Sequence, residues 1–227
     1  MNYNELFIAI KNYLQNDFPS NIWTDVAGTG TTTSNGTEQI DLFIRQAETR
    51  IYNSVQLPVQ RKNVTGTTTL GNKYLSLPAD WLSNYSIAVV TPITGEYEYL
   101  LNKDVNFIRQ AFPYPAVSGK PQYYAVFDQN TYILGPTPDA AYTMEMHYNA
   151  YPASIVDIGT SWLGSNFSTV LLYGSLVEAY IFLKGEADLL QMYQANYNDA
   201  LNQLKRLSDG LDRQDAYRSG QTRVQVT

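Results

Sequence analysis

The chain has 227 residues, of which 44% are hydrophobic and only 16% charged, with a formal net charge of -6, 19 Tyr and no Cys. That is enough for one domain, or two small ones, with a real core. It leaves no disulfide framework and no thiolate zinc site, and the acidic balance argues against an electrostatic grip on nucleic acid. No run reaches transmembrane length, and MNYNELFIAI lacks the basic and apolar regions of a signal peptide, so neither a membrane span nor a leader is expected.

In chain order, Asn4 to Asn16 reads as a short amphipathic helix with Leu6, Ile10, Tyr13 and Leu14 as its stripe, closed by Asp17-Phe18-Pro19. The stretch Asn21 to Gly36 contains GTGTTTSNG and reads as a loop. It lacks the preceding strand and the Lys of a phosphate-cradling loop, so nucleotide binding is not expected. Thr37 to Ser54 is a second helix, with Thr37 as N-cap and Ile40, Phe43, Ile44, Ala47 and Ile51 facing inward. Its Arg45 and Glu48 read as an ordinary exposed pair.

From Arg61 the period changes to two. Val64 to Leu70 and Lys73 to Leu77 flank Gly71-Asn72, a two-residue hairpin signal. Leu77 to Leu82 reads as a turn into a short helical piece. Strands follow at Tyr85 to Val90 and Glu96 to Leu101, then a short helix at Lys103 to Phe112 with Val105, Ile108 and Phe112 inward. Gln122 to Asp128, Thr131 to Leu134 and Tyr142 to Tyr148 complete an antiparallel set, with GPTPDAA as the last turn.

Asn166 to Lys184 is apolar on most of its surface, as a buried helix is, with Ser168 as N-cap and Gly185 as its stop. A second helix from Glu186 carries one stripe of Leu190, Tyr193, Tyr197, Ala200 or Leu201, Leu204 and Leu207, and ends at Gly210. The two form a helical hairpin. The tail from Tyr217 ends in RSGQTRVQVT, where Val224 and Val226 alternate. Such a tail is usually disordered alone, and it could also add as a strand to a neighbour's sheet. Helices at both ends with strands between argue for an α+β fold. The expected form is a helical bundle built from N-terminal and C-terminal helices, with a central antiparallel β-rich insertion. Its parts are residues 1–60, 61–160, 161–210 and a tail, 211–227.

Few residues point to chemistry. His147 is the only His and sits in a strand, where a surface role outweighs catalysis because a triad needs an oriented partner. No metal-ligand spacing occurs. Glu96 and Glu98 share one strand face, whereas the carboxyls of a glycosidase flank a sugar. Glu178, inside LVEAYIF, reads as a hydrogen-bonded core acid or the partner of an Arg. The tyrosine pairs Tyr97/Tyr99 and Tyr123/Tyr124 suit packing or subunit contacts.

Several motifs recur in a set order: Gln46-Ala47-Glu48-Thr49-Arg50-Ile51, Leu77-Pro78-Ala79-Asp80, Gly119-Lys120-Pro121-Gln122-Tyr123, Gly135-Pro136-Thr137-Pro138-Asp139, the Tyr142 to Ala150 strand, Trp162-Leu163 and Leu171 to Tyr180. In this order the chain resembles the head-to-tail adaptor (connector) proteins of short-tailed bacteriophages. The resemblance implies a closed ring of roughly twelve copies lining the DNA exit channel. Its partners would be the portal protein and the tail nozzle protein, with DNA passing unbound, no membrane, no cofactor, no metal and no enzymatic activity. The protein would be made in the host cytoplasm and reside in the virion neck. The bundle would face the portal and the β-rich part the nozzle. Arg218, Arg223, Val224 and Val226 are then expected to contact portal or neighbouring subunit, and Tyr97, Tyr99, Tyr123 and Tyr124 to face the nozzle. The competing expectations are a virion glycan hydrolase using Glu96, Glu98 or Glu178, and a carbohydrate-binding tail module.

Overall fold

The computed structural model describes residues 1–15, 21–24, 31–34, 36–91, 95–114 and 116–218. The fold is α+β, and the chain divides into two compact units: Met1–Leu57 together with Pro152 onward, and Pro58–Tyr151. Residues 152–160, expected with the strands, therefore group with the helices.

The first unit is built on α6 (Ser168–Phe182), which packs against α1 (Tyr3–Leu14), α2 (Gly36–Ser54), α5 (Trp162–Asn166) and α7 (Ala187–Arg218). Val170, Leu171, Gly174, Ser175, Leu176, Val177 and Ala179 are buried on it. Ser175 is tolerated there because its hydroxyl donates to the Leu171 carbonyl at 2.8 Å. Gly174 lets α2 and α7 come close: a Cβ at that position would lie 3.2 Å from both Ala47 Cβ and the Tyr197 ring. Ile40, Phe43, Ile44, Ala47 and Ile51 of α2 are buried as their spacing requires. On α1 only Leu6 and Ile10 are buried, and Tyr13 is half exposed, so the stripe is narrower than expected. An Asn2–Glu5 capping box starts this helix, and Gln15 in the left-handed conformation ends it.

Five details of this unit depart from the sequence reading. The stretch expected as a loop contains a strand pair, β1 (Asn21–Thr24) with β2 (Thr31–Ser34), because Ile22-Trp23 of the first and the Thr run of the second favour extended backbone. α6 has no side-chain cap: Phe167, not Ser168, is the N-cap. Its end is made by Lys184 at φ 53, while Gly185 lies under the Tyr180 ring, where a side chain could not fit. α7 does not stop at Gly210 but continues to Arg218, and two short helices, α4 (Ile155–Ile158) and α5, precede α6.

The second unit is a pair of four-stranded sheets. One has the order β3 (Arg61–Thr67), β10 (Thr143–Asn149), β5 (Ser83–Val90), β6 (Tyr97–Tyr99) and is antiparallel. The other has the order β4 (Tyr74–Ser76), β9 (Thr131–Gly135), β8 (Tyr123–Asp128), β7 (Leu101–Asn102). Ile87, Val89, Met144, Met146 and Tyr148 of the first sheet meet Tyr124, Tyr132 and Leu134 of the second in one core. The second sheet's other face is covered by α3 (Val105–Ala111) through Ile108 against Ala125 and Ile133. Asp104 caps this helix by accepting from the Asn106 N–H at 2.7 Å.

The Gly71 turn forms, with Gly71 at φ 73, but it does not make a hairpin. β3 pairs with β10 and β4 with β9, so the turn carries the chain from one sheet to the other. Leu77 to Leu82 is a turn closed by Trp81 N–H on the Pro78 carbonyl at 3.1 Å, not a helix. The expected Glu96 to Leu101 strand breaks at Leu100, and β7 runs parallel to β8, so the strands are not all antiparallel.

Candidate interaction surfaces

In the helical unit α2 and α6 enclose an open groove of about 450 Å³ lined by Arg45, Gln46, Thr49, Arg50, Asn53 and Glu178. Arg50 and Glu178 form an ion pair across it, which answers why an acid interrupts the apolar LVEAYIF run. Among the described residues no second carboxylate lines it. Arg45 does not pair with Glu48. Its guanidinium grips Asp157 of α4 with two hydrogen bonds, at 2.9 and 2.6 Å. That bond is the main reason the Asp157 carboxyl is held below the usual carboxylate range. Glu48 is instead buried, at 4% exposure, and accepts from the Ile155 N–H at 3.0 Å. It thereby tethers the start of α4 to α2. Burial pushes its carboxyl up, with the Ser154 hydroxyl and the Ile155 N–H pulling the other way.

In the β unit the outward residues of β10 and its neighbours carry a polar network. His147 Nδ1 lies 3.3 Å from Ser86 Oγ, and its Nε2 lies 3.2 Å from Glu145 Oε1. Glu145 also accepts from Asn63 at 2.6 Å, and the Tyr97 hydroxyl bonded to it is the main reason its carboxyl is held low. The imidazole is thus oriented, as the sequence did not reveal. Yet Ser86 is mid-strand, paired through β5 and β10, where a backbone N–H has no freedom to serve an oxyanion.

The four expected tyrosines divide. Tyr97 and Tyr99 are 51% and 66% exposed on β6, an edge strand. Tyr124 is a correction: it turns into the core, 6% exposed, its hydroxyl accepting from Asn84 Nδ2 at 2.7 Å and its ring 5.3 Å from Tyr132. Tyr123, on the opposite face, packs against Phe107 and Phe112 beneath α3. Alternation separates the two, and both faces of that sheet are covered. Of the candidate acids, Glu98 pairs with Lys120, and Glu96 sits beside β6 with its side chain exposed.

Further apolar side chains are exposed in each unit. Leu42, Ile181 and Phe182 are each 52% exposed in the helical unit. In the β unit Leu101, Val117 and Tyr114 are exposed as well. A third feature runs along β3, where an apolar groove of about 250 Å³ is lined by Val64, Gly66, Leu75, Leu77, Met144 and Met146, among others. Of the expected C-terminal contacts, Arg218 is the last residue of α7, and Arg223, Val224 and Val226 lie outside the described residues. Among the described residues no group of acidic and His side chains could hold a metal ion, and no helix is long and apolar enough to cross a membrane.

A family model described as SU10 adaptor protein matches residues 1–225. No curated protein matches the chain.

Proposed function

The chain belongs to the SU10 adaptor protein family, a family of phage adaptors, and on that footing we propose that it is the head-to-tail adaptor of a short-tailed virion. In this reading a closed ring of roughly twelve copies sits between portal and tail nozzle and lines the DNA exit channel. The helical unit, as a bundle, meets the portal, and the β unit meets the nozzle. The observation that carries the reading is the match itself, which spans both units and α7 rather than one shared motif.

The surface chemistry supports it. A ring subunit needs two different, complementary flanks, and scattered exposed Leu, Ile, Phe and Tyr on a charge-poor protein suit faces that partners cover. A net charge of -6 suits a wall that DNA passes without being held. Polar rims give weak association until a template orders them, because desolvation and ordering consume much of the contact energy.

The test is assembly. Sedimentation of the purified protein should give a species near the 25.6 kDa chain mass, and adding portal rings should shift it into one complex of fixed stoichiometry. A protein that ignores every candidate portal, or is absent from purified virions, ends this reading. The hydrolase alternative has no observation in its favour: Glu98 and Glu178 are each engaged by a cation.

A further inference from the structure

We infer that the open edge of β3 receives the segment Arg223–Thr227 of a second copy as an added β-strand, with Val224 and Val226 filling the groove beside it. The inference rests on the ring reading above and names the site where one copy would hold the next.

Among the described residues β3 is the end strand of its sheet, paired on one side only, with β10. All seven of its residues are exposed. In an antiparallel ladder alternate residues turn their N–H and C=O groups away from the partner, so half of this strand's backbone groups face outward. Proteins blunt such edges with charge, Pro, bulges or a covering loop. Here Lys62 is the inward-facing charge, and Asp80 engages it at 2.5 Å. From Asn63 to Thr67 the strand carries neither a charge nor a Pro. That uncharged stretch is five residues long by numbering, the same length as Arg223–Thr227.

The groove along this edge explains which side chains fit. Val64 and Gly66 are the β3 residues facing the other sheet, opposite Met146 and Met144. Gly66 has no side chain, and nothing stands within 4 Å of where its Cβ would be. The core is therefore underfilled at its rim, between β3 and the Leu75 and Leu77 side chains of the other sheet's edge. A strand laid beside β3 would place every second side chain over that rim, at a spacing of about 6.7 Å. The occupant must offer two small apolar, strand-favouring residues at positions i and i+2, with polar residues between. Arg223-Val224-Gln225-Val226-Thr227 has that pattern. Its Arg, Gln and Thr would continue the polar outer face that Asn63, Thr65 and Thr67 begin. Backbone pairing supplies affinity and the two Val side chains supply register, as in other cases of strand addition. Passed from each copy to the next, such a contact is head-to-tail, the kind that makes a ring when the rotation between copies closes.

The chain has no Cys, which allows a clean cross-linking test. Gln225→Cys is combined in turn with Asn63→Cys, Thr65→Cys and Thr67→Cys, and intact virions carrying each variant are oxidised. One of the three pairings should give a ladder of covalent multimers on a non-reducing gel, because facing strand residues lie within disulfide reach. Gln225→Cys alone should give no ladder. If the disulfide forms within single chains, or joins the thiol introduced at position 225 to a portal subunit, or if no pairing gives a ladder although electron images show the ring at the neck, the inference is overturned. Absence of the ring from those images overturns the adaptor reading itself, and this inference with it. Hydrogen exchange offers a second measurement: outward amides of Asn63–Thr67 should slow on assembly, and unchanged exchange counts against the added strand.

Discussion

Glu48 on α2 accepts a hydrogen bond of 3.0 Å from the backbone N–H of Ile155, the first residue of α4. A buried acid thus joins two segments far apart in sequence. The bond has measurable consequences. Glu48→Ala leaves a buried donor unpaired and should cost about 1–3 kcal/mol in denaturant unfolding. Glu48→Gln keeps an acceptor but removes the ionisation. Burial raises the Glu48 carboxyl above its ordinary value of 4.5. A raised acid binds its proton more readily in the folded state, so its stabilising contribution is present below the ordinary value and lost as pH rises through the folded one. The Gln variant should therefore gain on the natural protein as pH rises from the ordinary value upward. A difference in melting temperature that does not change with pH would contradict this account.

A second prediction concerns α6. Gly174 stands where Ala47 of α2 and Tyr197 of α7 approach closest to the helix. A β-branched side chain there must push two helices apart or force strained rotamers. Gly174→Val should destabilise the protein by about 1–3 kcal/mol despite removing a helix glycine. Stability equal to the natural protein would mean the contact is looser than these distances indicate.

Gly210 tests the opposite case. It lies inside α7, and nothing stands within 4 Å of its missing Cβ. Gly210→Ala should stabilise the helix by about 1 kcal/mol, the ordinary propensity difference, with a rise in helicity by circular dichroism. A loss of helicity would show that the chain requires glycine there for another reason.

Gly210 also shows where reading from sequence stops. A glycine after Lys205 and Arg206 has the look of a helix end, yet its propensity cost is small beside the continuity of a helix that runs to Arg218. Periodicity located α2 and most strands because burial on one face imposes it directly, and α6 was legible instead as a run apolar on most sides. Partner choice is different. The Gly71 turn is as local chemistry demands, but β3 binds β10 and β4 binds β9, and no local pattern encodes that. Glu48 and Arg45 are neighbours on a helix, yet α4, an element without a strong signal, supplies both their partners. The polar network around His147 was half legible: alternation puts Glu145 and His147 on one face, but Ser86 and Asn63 arrive from other strands.

The last prediction separates tyrosines that look alike in the sequence. Tyr97 and Tyr99 hold their rings outward on an edge strand, and the Tyr97 hydroxyl is pushed up chiefly by its bond to Glu145. Tyr124 is buried between Tyr132 and Asn84. Truncating Tyr124 to Ala removes a core aromatic ring and leaves Asn84 short of a partner, so it should cost about 3–5 kcal/mol. Tyr99→Ala should leave the unfolding midpoint almost unchanged, and Tyr97→Ala should cost only the solvent-exposed bond to Glu145, far less than the loss at Tyr124. Exposed aromatic rings are typical anchors of protein interfaces. If the β unit meets the nozzle, the double variant should enter heads normally but release or fail to recruit the tail, which electron images of the particles would reveal. Full tail attachment with both rings removed would exclude Tyr97 and Tyr99 from that contact and move the search to the other exposed side chains of the same unit, Leu101, Tyr114 and Val117.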